Sequence, residues 1–265
     1  MARESLTSPG IVLRTVPYRD ADLIVTLYTR ARGRVSALAR SARKSQRRFG
    51  GSLGLLLVSD MELSRRGGEL WTLSSARLLT SYAELASDIA SFAHASYGTE
   101  LVRELSPAEQ PDERVFELLE ELYRELRARG PAPMVLRAFE VQMLAVAGVA
   151  PVLDSCVGCG RGDLEVRGAV LDPGRGGVCC TSCAAMSRGL GVRPLSHGAL
   201  QVLRAVQYAP TLADARDLPV PDIAAQREAR DTLVALLLMH VDKPLRSLEF
   251  IAKVTGAARQ TKRDS

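Results

Sequence analysis

The chain has 265 residues, of which 46% are hydrophobic and 25% are charged, the balance of an ordinary soluble protein with a sizeable core. This length suggests two domains, with one large domain as the alternative. The net charge of +5 favours an acidic partner, and no apolar run approaches the roughly 20 residues of a membrane span. The N-terminus also lacks the apolar core of a signal peptide, so we expect a cytoplasmic protein whose five cysteines are reduced thiols or metal ligands.

The first eighty residues have the two-residue periodicity of β-strands. Strands are predicted at 10–16, where Pro17 ends the run, and at 22–29, 34–40, 55–65 and 70–79. In the third of these, Val35, Ala37 and Ala39 are expected to point inward. Five short antiparallel strands close their edges as a small barrel, and the oligonucleotide-binding (OB) barrel is the commonest solution. Function does not follow from such a fold alone.

A basic segment runs from Arg30 to Arg48, and no acidic residue occurs between Asp22 and Asp60. Cations without a counter-charge repel one another, which favours a nearby polyanion. An arginine-rich loop on a rigid sheet suits a nucleic-acid backbone, whereas the alternative is a solvated loop that only confers solubility. The residues predicted to neutralise phosphates are Arg34, Arg40, Arg43, Lys44, Arg47 and Arg48. We also predict that Phe49 or Tyr28 stacks on a base, with packing in the barrel as the alternative for Phe49.

From Ser81 onward the apolar period changes to 3.6 residues, which indicates helices. The predicted helices lie at about 89–101, 115–126, 135–144, 200–206, 222–240 and 247–254. We therefore predict a multidomain α+β protein. A nucleic-acid-binding OB-fold β-barrel would occupy residues 1–80, and an α-helical domain residues 81–265, with an inserted four-cysteine zinc module at about 152–190.

The insert contains two Cys-x-x-Cys pairs, Cys156 with Cys159 and Cys180 with Cys183. This spacing is typical of a zinc site with four thiolates, and zinc binding would supply folding energy that so short a segment lacks. Four thiolates leave no coordination position for water, so Zn²⁺ is expected to be structural. A redox dithiol and buried metal-free cysteines are the alternatives. Cys179 and Cys183 also have an acceptable spacing for a pair of metal ligands, but the two-residue gap between the cysteines of both Cys-x-x-Cys pairs favours Cys180.

Sequence patterns of catalysis are weak in this chain. There is no phosphate-binding glycine loop, and the three histidines are scattered. Asp20, Asp22, Asp60 and Glu62 do not form the paired carboxylates that a nuclease needs to hold a metal. We therefore predict that the protein is not an enzyme.

Several segments together resemble a known family. They are residues 10–14, 17–18, 21–22, 27–30, 33–35, 42–44 and 48–51, the two cysteine pairs with Gly176 and Gly177, and residues 245–248. In this order and spacing, the chain from about residue 8 to residue 255 resembles the RecO family of DNA-repair proteins.

The resemblance implies a recombination mediator with an OB barrel and a helical domain interrupted by a zinc module. Such a protein binds single- and double-stranded DNA and anneals complementary strands. With RecR, and sometimes RecF, it helps RecA load onto DNA coated by single-stranded DNA-binding protein, whose acidic C-terminal tail binds the helical domain. We expect it in the cytoplasm, associated with the nucleoid, with no membrane partner. The alternative is an RNA-binding or transcription-associated protein with an OB barrel and a zinc ribbon. A fragment of a NAD-dependent ligase would need a Lys-x-Asp-Gly motif, which the sequence lacks.

Overall fold

Five strands form a closed barrel in a computed structural model of the chain, which describes residues 3–164, 168–187, 189, 191–219 and 222–261. The strands are β1 (Glu4–Tyr18), β2 (Asp22–Thr29), β3 (Gly33–Ala39), β4 (Leu57–Arg65) and β5 (Trp71–Ser81). Their order around the barrel is β1-β2-β3-β5-β4, and β1 closes the barrel by pairing with β4. The β3–β5 pair is parallel and the other pairs are antiparallel. The predicted five-stranded OB barrel is confirmed.

The first strand is longer than predicted at both ends. Pairing with β4 extends from Glu4 to Ile11, and pairing with β2 extends from Gly10 to Tyr18. Pro17 was predicted to end the strand, but it lies where β1 is paired on one side only, a position at which proline is tolerated. The residues added at the C-terminal end, Pro17 and Tyr18, lengthen the β1–β2 hairpin.

The barrel core follows the alternation of the sequence. Val35, Ala37 and Ala39 of β3 are buried, which confirms their predicted inward direction. Ala37 is paired with Trp71 across the parallel β3–β5 register, and Trp71 is only 1% exposed. The small side chain of Ala37 leaves space in the core for the indole ring. Gly33 turns the chain before β3 with φ of 64°, and a Cβ there would lie 2.4 Å from the carbonyl oxygen of Gln110.

Helices make up most of the remaining chain. They are α1 (Gln46–Phe49), α2 (Ile89–Leu105), α3 (Glu113–Arg129), α4 (Pro133–Val146), α5 (Thr181–Ala184), α6 (His197–Tyr208), α7 (Leu212–Arg216), α8 (Ile223–Leu238) and α9 (Arg246–Thr261). The predicted stripes fall on α2, α3, α4, α6, α8 and α9. The sequence did not indicate α1, α5 or α7, because four or five residues are too few to show a helical period. No described helix has the length and apolarity needed to cross a membrane.

Two compact units divide the chain. One contains 1–130 and 245–265, and the other contains 131–244. In the first unit, Glu100 on α2 accepts hydrogen bonds from Ser247 at the start of α9, at 2.8 Å from the backbone nitrogen and 2.5 Å from Oγ. The C-terminal helix therefore returns to the barrel-containing unit. These units group residues by contact and do not coincide with the predicted domains 1–80 and 81–265, which stay a prediction.

The second unit contains a small three-stranded sheet between its helices. The sheet has the order β7-β6-β8, with β6 at Ala169–Asp172, β7 at Gly177–Cys180 and β8 at Arg193–Leu195. The predicted cysteine insert, at about 152–190, contains β6 and β7. Residues 165–167, 188 and 190 of the insert lie outside the described residues.

Glu109 connects several parts of the barrel through its carboxylate. It forms an ion pair with Arg65 of β4 and accepts a hydrogen bond of 3.2 Å from Nε1 of Trp71. Nε of Arg32, in the β2–β3 turn, lies 3.9 Å away. Partial burial opposes ionisation of this carboxyl, but the bonds from Arg65 and Trp71 outweigh it and hold the pKa of Glu109 below its ordinary value.

We expect Glu109→Gln to lower the free energy of unfolding at pH 7 by about 1.5–3 kcal/mol, the usual scale for a hydrogen bond to a charged group. Because the native pKa is lowered, the stabilisation by Glu109 is present above the unfolded-state pKa and is lost as the pH falls through the native pKa. The difference between variant and wild type in urea unfolding should therefore shrink from pH 7 to about pH 3. Glu69→Gln, at an exposed residue of the β4–β5 turn, is the control. An equal loss at both pH values would contradict the electrostatic explanation.

Candidate nucleic-acid interface and metal centre

The connection between β3 and β4 carries five cations that have no carboxylate within 4 Å among the described residues. They are Arg40, Arg43, Lys44, Arg47 and Arg48, which we call the basic loop. All except Arg48 are exposed, and Arg48 is half-buried. An unpaired cluster of this kind carries a local positive potential that attracts a polyanion.

Backbone hydrogen bonds give the basic loop a defined shape. The amides of Lys44 and Ser45 donate to the carbonyl of Ser41, at 3.1 and 2.9 Å. Arg48 donates from Nη2 to the carbonyl of Arg40 at 2.7 Å and from Nε to Ser45 Oγ at 3.0 Å. Phe49, the last residue of α1, is buried in the barrel core and anchors the loop. The cations are thus presented on an ordered segment.

The basic loop is also bonded to the turn between β1 and β2. The amide of Arg43 donates to the carbonyl of Ala21 at 3.0 Å, and Nη1 of Arg43 lies 3.4 Å from the carbonyl of Asp20. The amide of Ser41 donates to Oδ1 of Asp22 at 2.7 Å. These bonds place the turn and the loop side by side on one surface.

The other three arginines of the basic segment are bonded to neighbouring protein groups. Arg30 forms an ion pair with Glu113 on α3, and Arg32 forms one with Glu4 on β1. The interpretation that no counter-charge is nearby is therefore wrong for Arg30 and Arg32, because their acidic partners are distant in sequence. Arg34 is half-buried and donates from Nε to the carbonyl of Ser106 at 2.6 Å. Its contact with phosphate stays a prediction, and its environment differs from that of the basic loop.

Neither aromatic residue that was predicted to stack on a base is accessible. Phe49 is 3% exposed and lies in the barrel core, which agrees with the packing alternative. Tyr28 is 1% exposed, and its hydroxyl donates to the carbonyl of Asp112 at 2.9 Å. The prediction of stacking by Tyr28 or Phe49 is wrong, because both rings pack inside the unit.

The four predicted metal ligands converge in the second unit. The Sγ atoms of Cys156, Cys159, Cys180 and Cys183 all lie within 4.8 Å of one another, and none is in a disulfide. The sulfurs of Cys159 and Cys180 are 3.9 Å apart. A tetrahedral ion with sulfur ligands at about 2.3 Å would separate its sulfurs by about 3.8 Å. The four thiols therefore fit one tetrahedral metal ion.

Local backbone structure positions these thiols. The amide of Gly160 donates to the carbonyl of Cys156 at 2.7 Å, and φ of 77° at Gly160 completes the turn. The amides of Cys180 and Gly158 donate to Sγ of Cys156, at 3.2 and 3.4 Å. Burial opposes ionisation of this thiol, but the amide bonds outweigh it and lower the pKa of Cys156 to about 6. A thiolate is the form that binds a metal.

Cys179 is separate from this group. It precedes Cys180 on β7, where successive side chains point to opposite faces, and it is fully buried outside the cluster. Cys180, rather than Cys179, therefore lies beside the other three cysteines, as the equal spacing within the two Cys-x-x-Cys pairs predicts. Its role as a metal ligand stays a prediction.

Helix α6 holds the start of the insert through side-chain bonds. Arg204 donates from Nε and Nη2 to the carbonyl of Leu153, at 3.1 and 2.9 Å. Gln207 donates to the carbonyl of Pro151 at 2.9 Å, and the hydroxyl of Tyr208 bonds to Asp154. The cysteine cluster is thus joined to the helical part of its own unit.

Known proteins resemble the chain over nearly its whole length. The family model for the N terminal part of recombination protein O matches residues 1–82, and the model for its C terminal part matches residues 86–249. The DNA repair protein RecO of Anaeromyxobacter dehalogenans (strain 2CP-1) is 40% identical over 258 residues, which cover 96% of this chain and 98% of that protein. The DNA repair protein RecO of Geobacter sulfurreducens is 34% identical over 93% of this chain and 97% of that protein, and that of Myxococcus xanthus is 33% identical over 95% and 98%. Since these matches include the barrel, the helices and the cysteine cluster, the chain belongs to the RecO family.

Proposed function

We propose that this protein is a DNA-repair protein of the recombination-mediator type. It binds single- and double-stranded DNA and anneals complementary strands. The observation that carries the proposal is the ordered basic loop on an OB barrel, where Arg40, Arg43, Lys44, Arg47 and Arg48 have no acidic partner among the described residues. Membership of the RecO family, with relatives named DNA repair proteins, supports DNA as the polyanion.

Annealing by such a surface needs no catalytic group, so we propose a non-enzymatic protein. Cations that neutralise two strands on one surface lower the repulsion between them and raise their local concentration. If the five cations of the basic loop each contact one phosphate of a single strand, the logarithm of the binding constant should fall with the logarithm of salt at a slope of about −3.5.

The cysteine cluster is proposed to hold a structural Zn²⁺ ion. Cys156, Cys159, Cys180 and Cys183 would occupy all four positions of a tetrahedral ion, and the bound ion would then supply folding energy to the insert. The backbone amides directed at Cys156 favour its thiolate before any metal arrives. Among its described residues, the insert has short strands and the four-residue helix α5 around this cluster, which agrees with a structural role.

Further partners are proposed from the family. With RecR, and with RecF where it takes part, the protein would help RecA load onto DNA coated by single-stranded DNA-binding protein. The acidic C-terminal tail of that protein would bind the helical domain. These partners would place the protein in the cytoplasm at the nucleoid.

Annealing of complementary oligonucleotides coated with the cognate single-stranded DNA-binding protein tests this proposal. We expect a rate above that without the protein, and a strong decrease between about 50 and about 200 mM salt, because the contacts are to phosphates. No acceleration, together with preferential binding to structured RNA in competition, would contradict the proposal and favour an RNA-binding protein.

A further inference from the structure

The outer end of the β1–β2 hairpin carries exposed apolar side chains. Val16 and Tyr18 are 37% and 38% exposed, and Arg14 on the same strand is also exposed. These three residues alternate along β1 and therefore share one face of the hairpin. An exposed tyrosine at the tip of a strand is a flat surface on which an unstacked base could lie.

The neighbouring strands extend this face. In the antiparallel registers, Val16 is paired with Ile24, and Ile24 is paired with Leu38. Ile24 and Leu38 are half-buried, whereas Val25 and Ala37, which point the other way, are buried in the barrel. The face is therefore the outer surface of β1, β2 and β3, and an apolar strip crosses it.

Cations surround this apolar strip. The guanidinium carbon of Arg19 lies 5.2 Å from the centre of the Tyr18 ring. Neither Arg14 nor Arg19 has a carboxylate within 4 Å among the described residues. Arg40, the first residue of the basic loop, comes directly after the end of β3. The turn also contains two acidic residues: Asp20 is exposed, while Asp22 accepts the bond from the Ser41 amide.

The strip is continuous with the basic loop. Hydrogen bonds from Arg43 to Ala21 and Asp20 join the loop to the turn that follows Tyr18. A nucleic-acid strand whose phosphates contact the basic loop would therefore pass close to the Tyr18 ring. A polyanion with accessible apolar bases is the ligand that matches both the cations and the apolar strip, and single-stranded DNA has this chemistry.

We propose that Tyr18 is a base-stacking residue, with Arg14 and Arg19 as additional phosphate contacts, so that a single strand passes from the basic loop across the β1–β2 hairpin. This inference rests on the proposed function and extends the same surface. Bases in a duplex are already stacked on one another, so the Tyr18 ring would discriminate in favour of single strands. Arg19, which lies over the ring, would add a charge beside the stacked base.

Binding of a fluorescent dT oligonucleotide of about 20 nucleotides and of a duplex of equal length, measured by anisotropy over a salt series, tests the proposal. We expect Tyr18→Leu to weaken single-strand binding by about tenfold, the scale of one lost base stack, with duplex binding and the salt slope unchanged. Tyr18→Phe and Tyr18→Trp should bind like wild type, because the ring rather than the hydroxyl stacks. Tyr208→Leu removes an exposed tyrosine of the other compact unit and is the matched control.

Unchanged single-strand affinity in Tyr18→Leu, or an equal loss on single strands and duplex, would overturn the stacking role. Loss of binding in the rescue variants Tyr18→Phe and Tyr18→Trp would also overturn it, since it would indicate a structural defect. The test of Tyr18 can fail without contradicting the proposed function. If neutralising the basic loop abolishes binding while Tyr18→Leu has no effect, this inference fails and the proposed function stands. If neutralising the loop has no effect, the proposed function fails.

Discussion

The triple variant Arg43→Glu, Lys44→Glu, Arg47→Glu is expected to anneal complementary strands no faster than the reaction without protein. Each of the three side chains is exposed and lacks an acidic partner among the described residues, so the change removes three phosphate contacts and adds three repulsive charges. The barrel should remain folded, because none of the three side chains is part of its core. Strand annealing, with circular dichroism as a check of folding, measures this outcome.

A variant with the same change in net charge is the control for this prediction. Arg124→Glu, Arg227→Glu, Arg230→Glu reverses three exposed arginines on α3 and α8. We expect it to retain most of the annealing rate, since its charges lie outside the basic loop. An equal loss of annealing in the two triple variants would mean that net charge matters rather than the basic loop. Annealing at the wild-type rate by the loop variant would contradict the assignment of the loop directly.

Replacement of Cys156 by serine is expected to have the largest effect on folding of the second unit. Its thiol is 1% exposed, lies among the other three ligands and receives the two backbone amide bonds. Structural zinc sites of this kind contribute about 10–16 kcal/mol of apparent binding free energy, which is coupled to folding. We expect Cys156→Ser to lose stoichiometric zinc and to lower the thermal stability of the helical part that α6 connects to the insert.

Metal analysis and thermal unfolding measure this outcome, and Cys179→Ala is the matched control. Cys179 is adjacent to a ligand and fully buried but lies outside the cluster, so its replacement should leave one zinc ion bound per chain. We expect Cys156→Ser to retain single-strand binding, because the basic loop belongs to the other compact unit. Retention of zinc by Cys156→Ser, or loss of zinc by Cys179→Ala, would contradict the proposed ligand set.

Much of the fold could be predicted because local patterns determine it. The two-residue alternation in β3 has Val35, Ala37 and Ala39 on one side, and all three are buried. The proximity of Cys156 and Cys159 to Cys180 and Cys183 could be predicted from the spacing of the two Cys-x-x-Cys pairs. A tetrahedral metal ion brings two such pairs together even when they are distant in the chain. Helix stripes of three or more turns were equally clear.

The parts that could not be predicted depend on contacts between distant segments. Arg30 appears unpaired in sequence, but its partner Glu113 lies 83 positions further along the chain. Phe49 lies in a basic loop, and nothing in the loop shows that its ring reaches the barrel core. Tyr18 belongs to β1 because the strand continues past Pro17. A proline is tolerated there because β1 is paired on one side only, and the sequence pattern does not show this. In each case, tertiary structure decides the partner or the exposure of a side chain.

The salt dependence of single-strand binding tests the central claim most directly, since it counts phosphate contacts. For the wild-type chain we predict a slope of log K against log salt of about −3.5 from the five cations of the basic loop, more negative if Arg14 and Arg19 also contribute. In the neutral variant Arg43→Gln, Lys44→Gln, Arg47→Gln, the slope should become less negative by about 2. An identical slope in the two proteins would contradict the account, because the phosphates would then be contacted elsewhere.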